Sequence, residues 1–210
     1  MPEPFRAFWG TAAPLVRSNI DTDTISPGSR PGGRPASANI ADDLFAGWRY
    51  DGNGVEVPDF VLNRPAFRDA KILLAGRNFG CGSSRESAVW MLKAWGLRCI
   101  VAPSFGDIFY GSCFTNGLLP VRLDEDAVAA LAAQAEPGAP DALFFVDLAN
   151  EEIRTPAGTA IRIEVPPIRR HALLNGLDEI DQTLARAGDI TRFEEEAAMW
   201  YPWLHLHGSA

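Results

Sequence analysis

Residues 71–103, "KILLAGRNFGCGSSRESAVWMLKAWGLRCIVAP", decide how the rest of the chain is read. "KILLAG" is a short apolar run closed by glycine, the pattern of a buried strand rather than a long helix. After a glycine-rich turn, Ala88, Met91, Leu92 and Trp95 recur at i, i+3, i+4 and i+7, which is one face of a helix. Ser83 and Glu86 have the spacing of a capping box, so the helix is predicted to begin near Ser84. Gly96 stands where a left-handed residue ends a helix. "LRCIVAP" is then a second buried strand. Strand, helix and strand in this order form a βαβ unit with parallel strands.

Downstream, Ser104 is placed to cap a helix through "FGDIFYGSCF", closed by Asn116 and Gly117. "LLPVRL" reads as a strand and "DEDAVAALAAQAE" as a surface helix whose first acids suit its dipole. "LFFVDL" and "TAIRIEV" flank "EEIRTPAG" as hairpin material. The last forty residues alternate helical faces and caps. Upstream, residues 26–39, "SPGSRPGGRPASAN", hold three prolines, three glycines and two arginines, a density that forbids helix and strand. Asn39 follows as the cap of a short helix through "IADDLF". The expected fold class is α/β, with a small β section after the α/β layer and a helical C-terminal end.

Composition narrows the function. With 47% hydrophobic and 22% charged residues in 210, the chain is globular. A net charge of −8 repels phosphates, so nucleic acid and anionic membrane are discounted as partners. A negatively charged substrate then needs local arginines. No apolar run approaches the roughly 20 residues of a membrane span. The first residues lack the apolar core of a secretory signal, so the cytoplasm is the expected location. Three cysteines, Cys81, Cys99 and Cys113, are odd in number and widely spaced. Neither a disulfide framework nor a metal held by this chain alone is expected of them.

The stretch "GCGSSRE" supports two readings. It is an ordinary helix start, or it is an anion site where glycines admit a ligand, free amides converge and Arg85 adds a forked cation. The third position of a dinucleotide fingerprint holds Arg85 instead of glycine, and the Walker and lipase-elbow patterns are absent. "DTDTISP" offers a second choice, between a pair of Asx turns and a segment in which Asp21 and Asp23 orient site groups or an arginine. His171, in "RRHALLNG", reads as helix surface or as a contact between subunits. His205 and His207 read as tail.

Several motifs in one order carry a family resemblance: "SNIDTDTISPG", "DDLFAGWRYD", "PDFVLNRPAF", "NFGCGSSRES", "APSFGDIFYGSCFTNGLLPV" and "RRHALLNGLDEIDQTL". Over residues 14–187 the chain resembles the small subunits of 3-isopropylmalate dehydratase, in the aconitase superfamily. The last twenty residues carry no such signal. The resemblance implies a swivelling β/β/α domain over residues 1–187, with a flexible loop at 28–39, and a C-terminal helix and tail over 188–210. It implies a [4Fe–4S] cluster carried by a separate large subunit, a small hydroxy-dicarboxylate as substrate, and activity only with that partner. It makes Ser83 the base that removes a proton beside a carboxylate, and gives Ser84 and Arg85 the substrate carboxylate. Asp23, Thr24, Ile25 and Ser26 align with the superfamily's Asp-His-Ile-Ser segment, which places Asp23 and Ser26 at the substrate.

Two departures bear on specificity. Ser87 stands where the family has histidine after Gly-Ser-Ser-Arg-Glu. The 28–39 loop, which helps take an apolar substituent in isopropylmalate enzymes, has no large apolar residue here. Its Arg30 and Arg34 suit an additional carboxylate. Alternatives therefore stay open: a related 2-alkylmalate or citraconate-type hydratase subunit, or a non-catalytic binding module that kept the fold.

Overall fold

The computed structural model describes residues 3–28, 39–135 and 142–204. It opens with two short strands, β1 (Phe8–Gly10) and β2 (Ala12–Leu15), which the sequence reading did not assign. A helical turn, α1 (Thr22–Ile25), follows; a 3-10 turn over Ile40–Asp43 then leads into α2 (Ala46–Arg49). The βαβ unit is present as β3 (Ile72–Ala75), α3 (Glu86–Trp95) and β4 (Cys99–Ala102), with the two strands parallel. Then come α4 (Asp107–Thr115), β5 (Leu119–Arg122) and α5 (Glu125–Ala135). Three further strands, β6 (Phe144–Asp147), β7 (Glu152–Arg154) and β8 (Ala160–Arg162), precede the helices α6 (Pro167–Asn175), α7 (Glu179–Leu184) and α8 (Ala187–Trp200).

The strands form two sheets. One is parallel, in the order β2-β3-β4-β5, and the other antiparallel, in the order β1-β6-β7-β8. Every residue of β3 and β4 is buried, as a parallel sheet covered on both faces requires. Alternation along the strands divides the core in two. Ala13, Leu73 and Ile100 face Phe45, Leu62, Leu92 and the other residues beneath α3. Ile72, Leu74, Cys99 and Val101 face Leu131 of α5 and the inner residues Phe8, Phe144, Val146 and Ile153 of the antiparallel sheet. The layers are therefore sheet, sheet and helix. Both edge strands of the parallel sheet carry proline, Pro14 in β2 and Pro120 in β5, where a missing amide donor costs no ladder bond.

Two expected caps do not form. α3 begins at Glu86, its N-cap Arg85 makes no side-chain capping bond, and the Ser83–Glu86 box is absent. The Glu86 carboxylate instead accepts from Asn116 Nδ2 at 3.1 Å, which draws it away from the backbone behind it. α4 is capped by Gly106, while Ser104 Oγ accepts from the Asn78 amide at 2.9 Å. Other expectations hold. Gly96 ends α3 at φ 108°, and Asn39 caps the 3-10 turn by accepting from the Ala41 amide. Within "EEIR", Glu152–Arg154 is itself a strand, so the hairpin region is a three-stranded meander. None of the residues of α8 is buried. Among the described residues no helix is long and apolar enough to cross a membrane.

Candidate active site

The segments that follow β2, β3 and β4 leave the same carboxyl edge of the parallel sheet, where open α/β sheets hold their ligands. Backbone bonds lace the first two together: Asn19 donates to the Arg77 carbonyl, Gly80 to Ile20 and Thr22 to Cys81, at 2.8, 2.7 and 2.9 Å. The third is joined through Phe79 donating to Ser104 at 3.0 Å and Gly106 to Phe79 at 2.9 Å. Beneath them Phe79, Phe105 and Phe109 pack ring against ring.

Two glycines set how closely these segments meet. Gly80 has φ +71°, and a Cβ there would lie 2.2 Å from Phe109 Cγ. A Cβ on Gly106 would lie 2.5 Å from the Gly80 carbonyl oxygen. No other residue type lets the start of α4 approach the turn this closely.

Above this floor opens a cavity of about 250 Å³, lined by Ser83, Ser84 and Arg85 together with Thr22, Asp107 and Ile108. Ser83 is exposed, and its hydroxyl makes no hydrogen bond among the described residues. Its backbone is fixed, because Thr22 Oγ1 donates to the Ser83 carbonyl at 2.7 Å. With α3 uncapped, the amides at its start add positive potential beside the serine. The arrangement favours an anion over that hydroxyl, as the residue types suggested, though from two residues ahead of the N-cap instead of from the cap itself.

Arg85 pairs through Nε with the Asp23 carboxylate and reaches the Ser26 carbonyl from Nη1 at 3.5 Å. Asp21 caps α1 by accepting from the Thr24 amide at 2.7 Å. Hydrogen bonding from the Thr24 side chain, then from its amide, holds the Asp21 carboxyl below the usual aspartate range, and Arg85 adds its charge. The two aspartates thus divide the alternatives left open by the sequence: one makes the turn and the other holds the arginine. Ser26 is buried, with its Oγ 2.8 Å from Ser87 Oγ. The position that departs from the family's histidine is therefore occupied by a neutral hydroxyl pair tying α1 to α3.

Arg30, Arg34, His205 and His207 lie outside the described residues. His171 is on the exposed side of α6, while Arg169 reaches the Gly111 carbonyl and Arg170 pairs with Glu151. The sequence reading did not single out Thr22, Asp107 or Ile108. Only the doubled Asp-Thr of "DTDT" and the acid in "SFGDI" hinted at the first two.

Burial and the Asp21 charge push the Cys81 thiol up, and burial pushes up Cys99 and Cys113. None of the three is prepared as a thiolate. Among the described residues no three His, Cys, Asp or Glu side chains converge as metal ligands.

Residues 3–126 match the aconitase C-terminal domain, and residues 179–205 match the C-terminal domain of the 3-isopropylmalate dehydratase small subunit. The second match covers most of the segment in which sequence reading found no signal. The chain is 47% identical over 208 residues to the 3-isopropylmalate dehydratase small subunit of Parvibaculum lavamentivorans, covering 96% of this chain and 100% of that one. Its counterpart in Paramagnetospirillum magneticum is 48% identical over 208 residues, with the same coverage. A solved structure described as 3-isopropylmalate dehydratase from Methanocaldococcus jannaschii superposes with a TM-score of 0.58 at 26% identity, covering 89% of this chain and 99% of that one.

Proposed function

The chain belongs to the family of 3-isopropylmalate dehydratase small subunits, hydro-lyase components of leucine biosynthesis, and from that premise we propose how its residues serve the interconversion of 2- and 3-isopropylmalate with a large subunit. Ser83 Oγ, as alkoxide, takes the proton from the carbon next to a carboxylate. The C–H electron pair becomes the second bond of a cis-alkene, and the hydroxyl on the neighbouring carbon leaves with its bonding pair, taking up a proton from solvent or from the partner subunit to become water. Rehydration runs the same steps backwards with the hydroxyl on the other carbon, and Ser83, whose exposed hydroxyl exchanges with solvent, delivers a proton to the carbon that lost the hydroxyl.

An unaided serine hydroxyl is scarcely ionised at neutral pH, so its surroundings must favour the anion. The uncapped start of α3 and the Arg85 guanidinium provide that bias. Ser84 and Arg85 take a substrate carboxylate, Arg85 by its fork, with Asp23 holding the guanidinium in place and Ser26 fixing the segment that carries it. Arg30 and Arg34 are proposed as further carboxylate contacts on sequence grounds alone.

A [4Fe–4S] cluster on the large subunit, when bound, supplies a Lewis acid for the departing hydroxyl. This chain's thiols do not suit holding it: Cys99 and Cys113 are fully buried on separate elements. The cytoplasm is the proposed location.

One observation carries this reading: an exposed serine hydroxyl with no hydrogen-bond partner among the described residues, its backbone pinned by Thr22, shares one cavity with Arg85 and the start of α3. The test is steady-state turnover of 3-isopropylmalate by the paired subunits with Ser83→Ala. Loss of a general base lowers kcat by about 10³-fold while the subunits still associate. Unchanged turnover contradicts it and favours a binding module.

A further inference from the structure

The cavity's lining is uneven in polarity. Thr22, Ser83, Ser84, Arg85, Asp107 and Ser112 give it a polar wall, and the apolar side chains are Ile108 and Phe109. Phe109 is 4% exposed, its ring engaged with Phe79 and Phe105 beneath Gly80. Ile108, one residue before it in the first turn of α4, is 60% exposed and opens onto the cavity. An isoleucine left in solvent beside so many hydrogen-bonding groups is an apolar surface without a partner among the described residues.

Its position is also rigid. Gly106 is held by its bond to the Phe79 carbonyl and stands so close to the Gly80 turn that no Cβ would fit, which fixes the first turn of α4 against that turn. A β-branched side chain on a helix keeps essentially one χ1 rotamer, which makes Ile108 a fixed wall. The 28–39 segment contains nothing larger than proline or alanine on the apolar side, so its sequence offers no rival wall.

Resting on the function proposed above, we infer that Ile108 receives the branched alkyl group of the substrate and sets this chain's preference among 3-alkylmalates. The carboxylate end meets Ser84 and Arg85, the reacting carbon meets Ser83, and the alkyl branch closes over Ile108.

The test uses the reconstituted pair and two probes, 3-isopropylmalate and 3-methylmalate, with Ile108→Ala, Ile108→Val and Ile40→Ala. Ile40 is an exposed isoleucine that does not line the cavity and serves as control. Ile108→Ala lowers the isopropyl-to-methyl ratio of kcat/KM about tenfold, the usual worth of a lost apolar contact in a pocket. Ile108→Val lowers it less, and Ile40→Ala leaves it unchanged. An equal fall on both probes, an unchanged ratio, a shift with Ile40→Ala instead, or loss of association with the large subunit each overturns the inference. If the wild-type pair turns over neither probe, the functional reading falls and takes this inference with it. A wild-type pair active on both, with a ratio indifferent to Ile108, overturns the inference alone.

Discussion

Arg49 and Arg85 both connect the short helices of the N-terminal half to α3, and they are satisfied to very different degrees. Arg49 is 3% exposed. Its Nε donates to Asn63 Oδ1 at 3.0 Å, its Nη1 faces the carbonyls of Ala41, Asp42 and Leu44 at 3.3 to 3.5 Å, and its plane lies 4.3 Å from the Trp95 ring centre. Asn63 answers by donating to the Arg49 and Val57 carbonyls. Arg85, with its side chain 39% exposed, holds one carboxylate and one distant carbonyl. Five donors in a planar fork can all be met by the protein, which fixes a structure, or left in part for a ligand, which makes a site.

That contrast can be broken most forcefully at Arg49. Arg49→Leu removes a buried cation and strands the carbonyls and Asn63 around it, at a cost of about 3 kcal/mol. Thermal or urea unfolding should register this as a clear fall in midpoint. Arg85→Lys keeps a charge but loses the fork. It should raise the substrate KM about tenfold, the low end for a lost hydrogen bond to a charged group, and leave unfolding nearly unchanged because the pair with Asp23 is open to solvent. A destabilisation matching that of Arg49→Leu would erase the distinction.

The smallest effect is expected at Asp21. Loss of its cap in Asp21→Ala costs about 1 kcal/mol at neutral pH. Its folded carboxyl lies below the ordinary aspartate value. The stabilisation is therefore complete above about pH 4 and fades as pH falls through the depressed value. Wild-type and Asp21→Ala unfolding curves should converge only in acid, and a gap that widens there would reverse the sign.

Much of this was legible in the sequence, for definite reasons. "ILLA" and "CIVA" are apolar throughout because both faces of their sheet are covered, and Gly96 announces its own conformation. β1 and β2 were not legible: "FWG" and "AAPL" are too short for a period, and β1 finds its partner β6 far along the chain. The start of α3 was misplaced because Asn116, thirty residues downstream of Glu86, competes for that carboxylate. At the candidate site, residue type and resemblance pointed to Ser83, Arg85 and Asp23; Ser83 and Arg85 line one cavity and Asp23 pairs with Arg85. Thr22 was missed because a threonine that holds a distant carbonyl looks like any other turn residue. Ile108 was missed because a single isoleucine on the side of α4 that also carries Gly111, Ser112 and Thr115 is no signal by itself. The close approach of Gly106 to Gly80 is what brings this side of α4 beside the serines.

The central step is the transfer of the substrate's proton to Ser83. The most direct measurement is deuterium uptake at the branched carbon of 3-isopropylmalate, which carries the isopropyl group, in D2O, with the reconstituted pair carrying wild-type or Ser83→Ala small subunit. Rapid exchange by the wild type and none above background by Ser83→Ala, with assembly intact, is the predicted result. Exchange by Ser83→Ala at the wild-type rate would place the base on another residue.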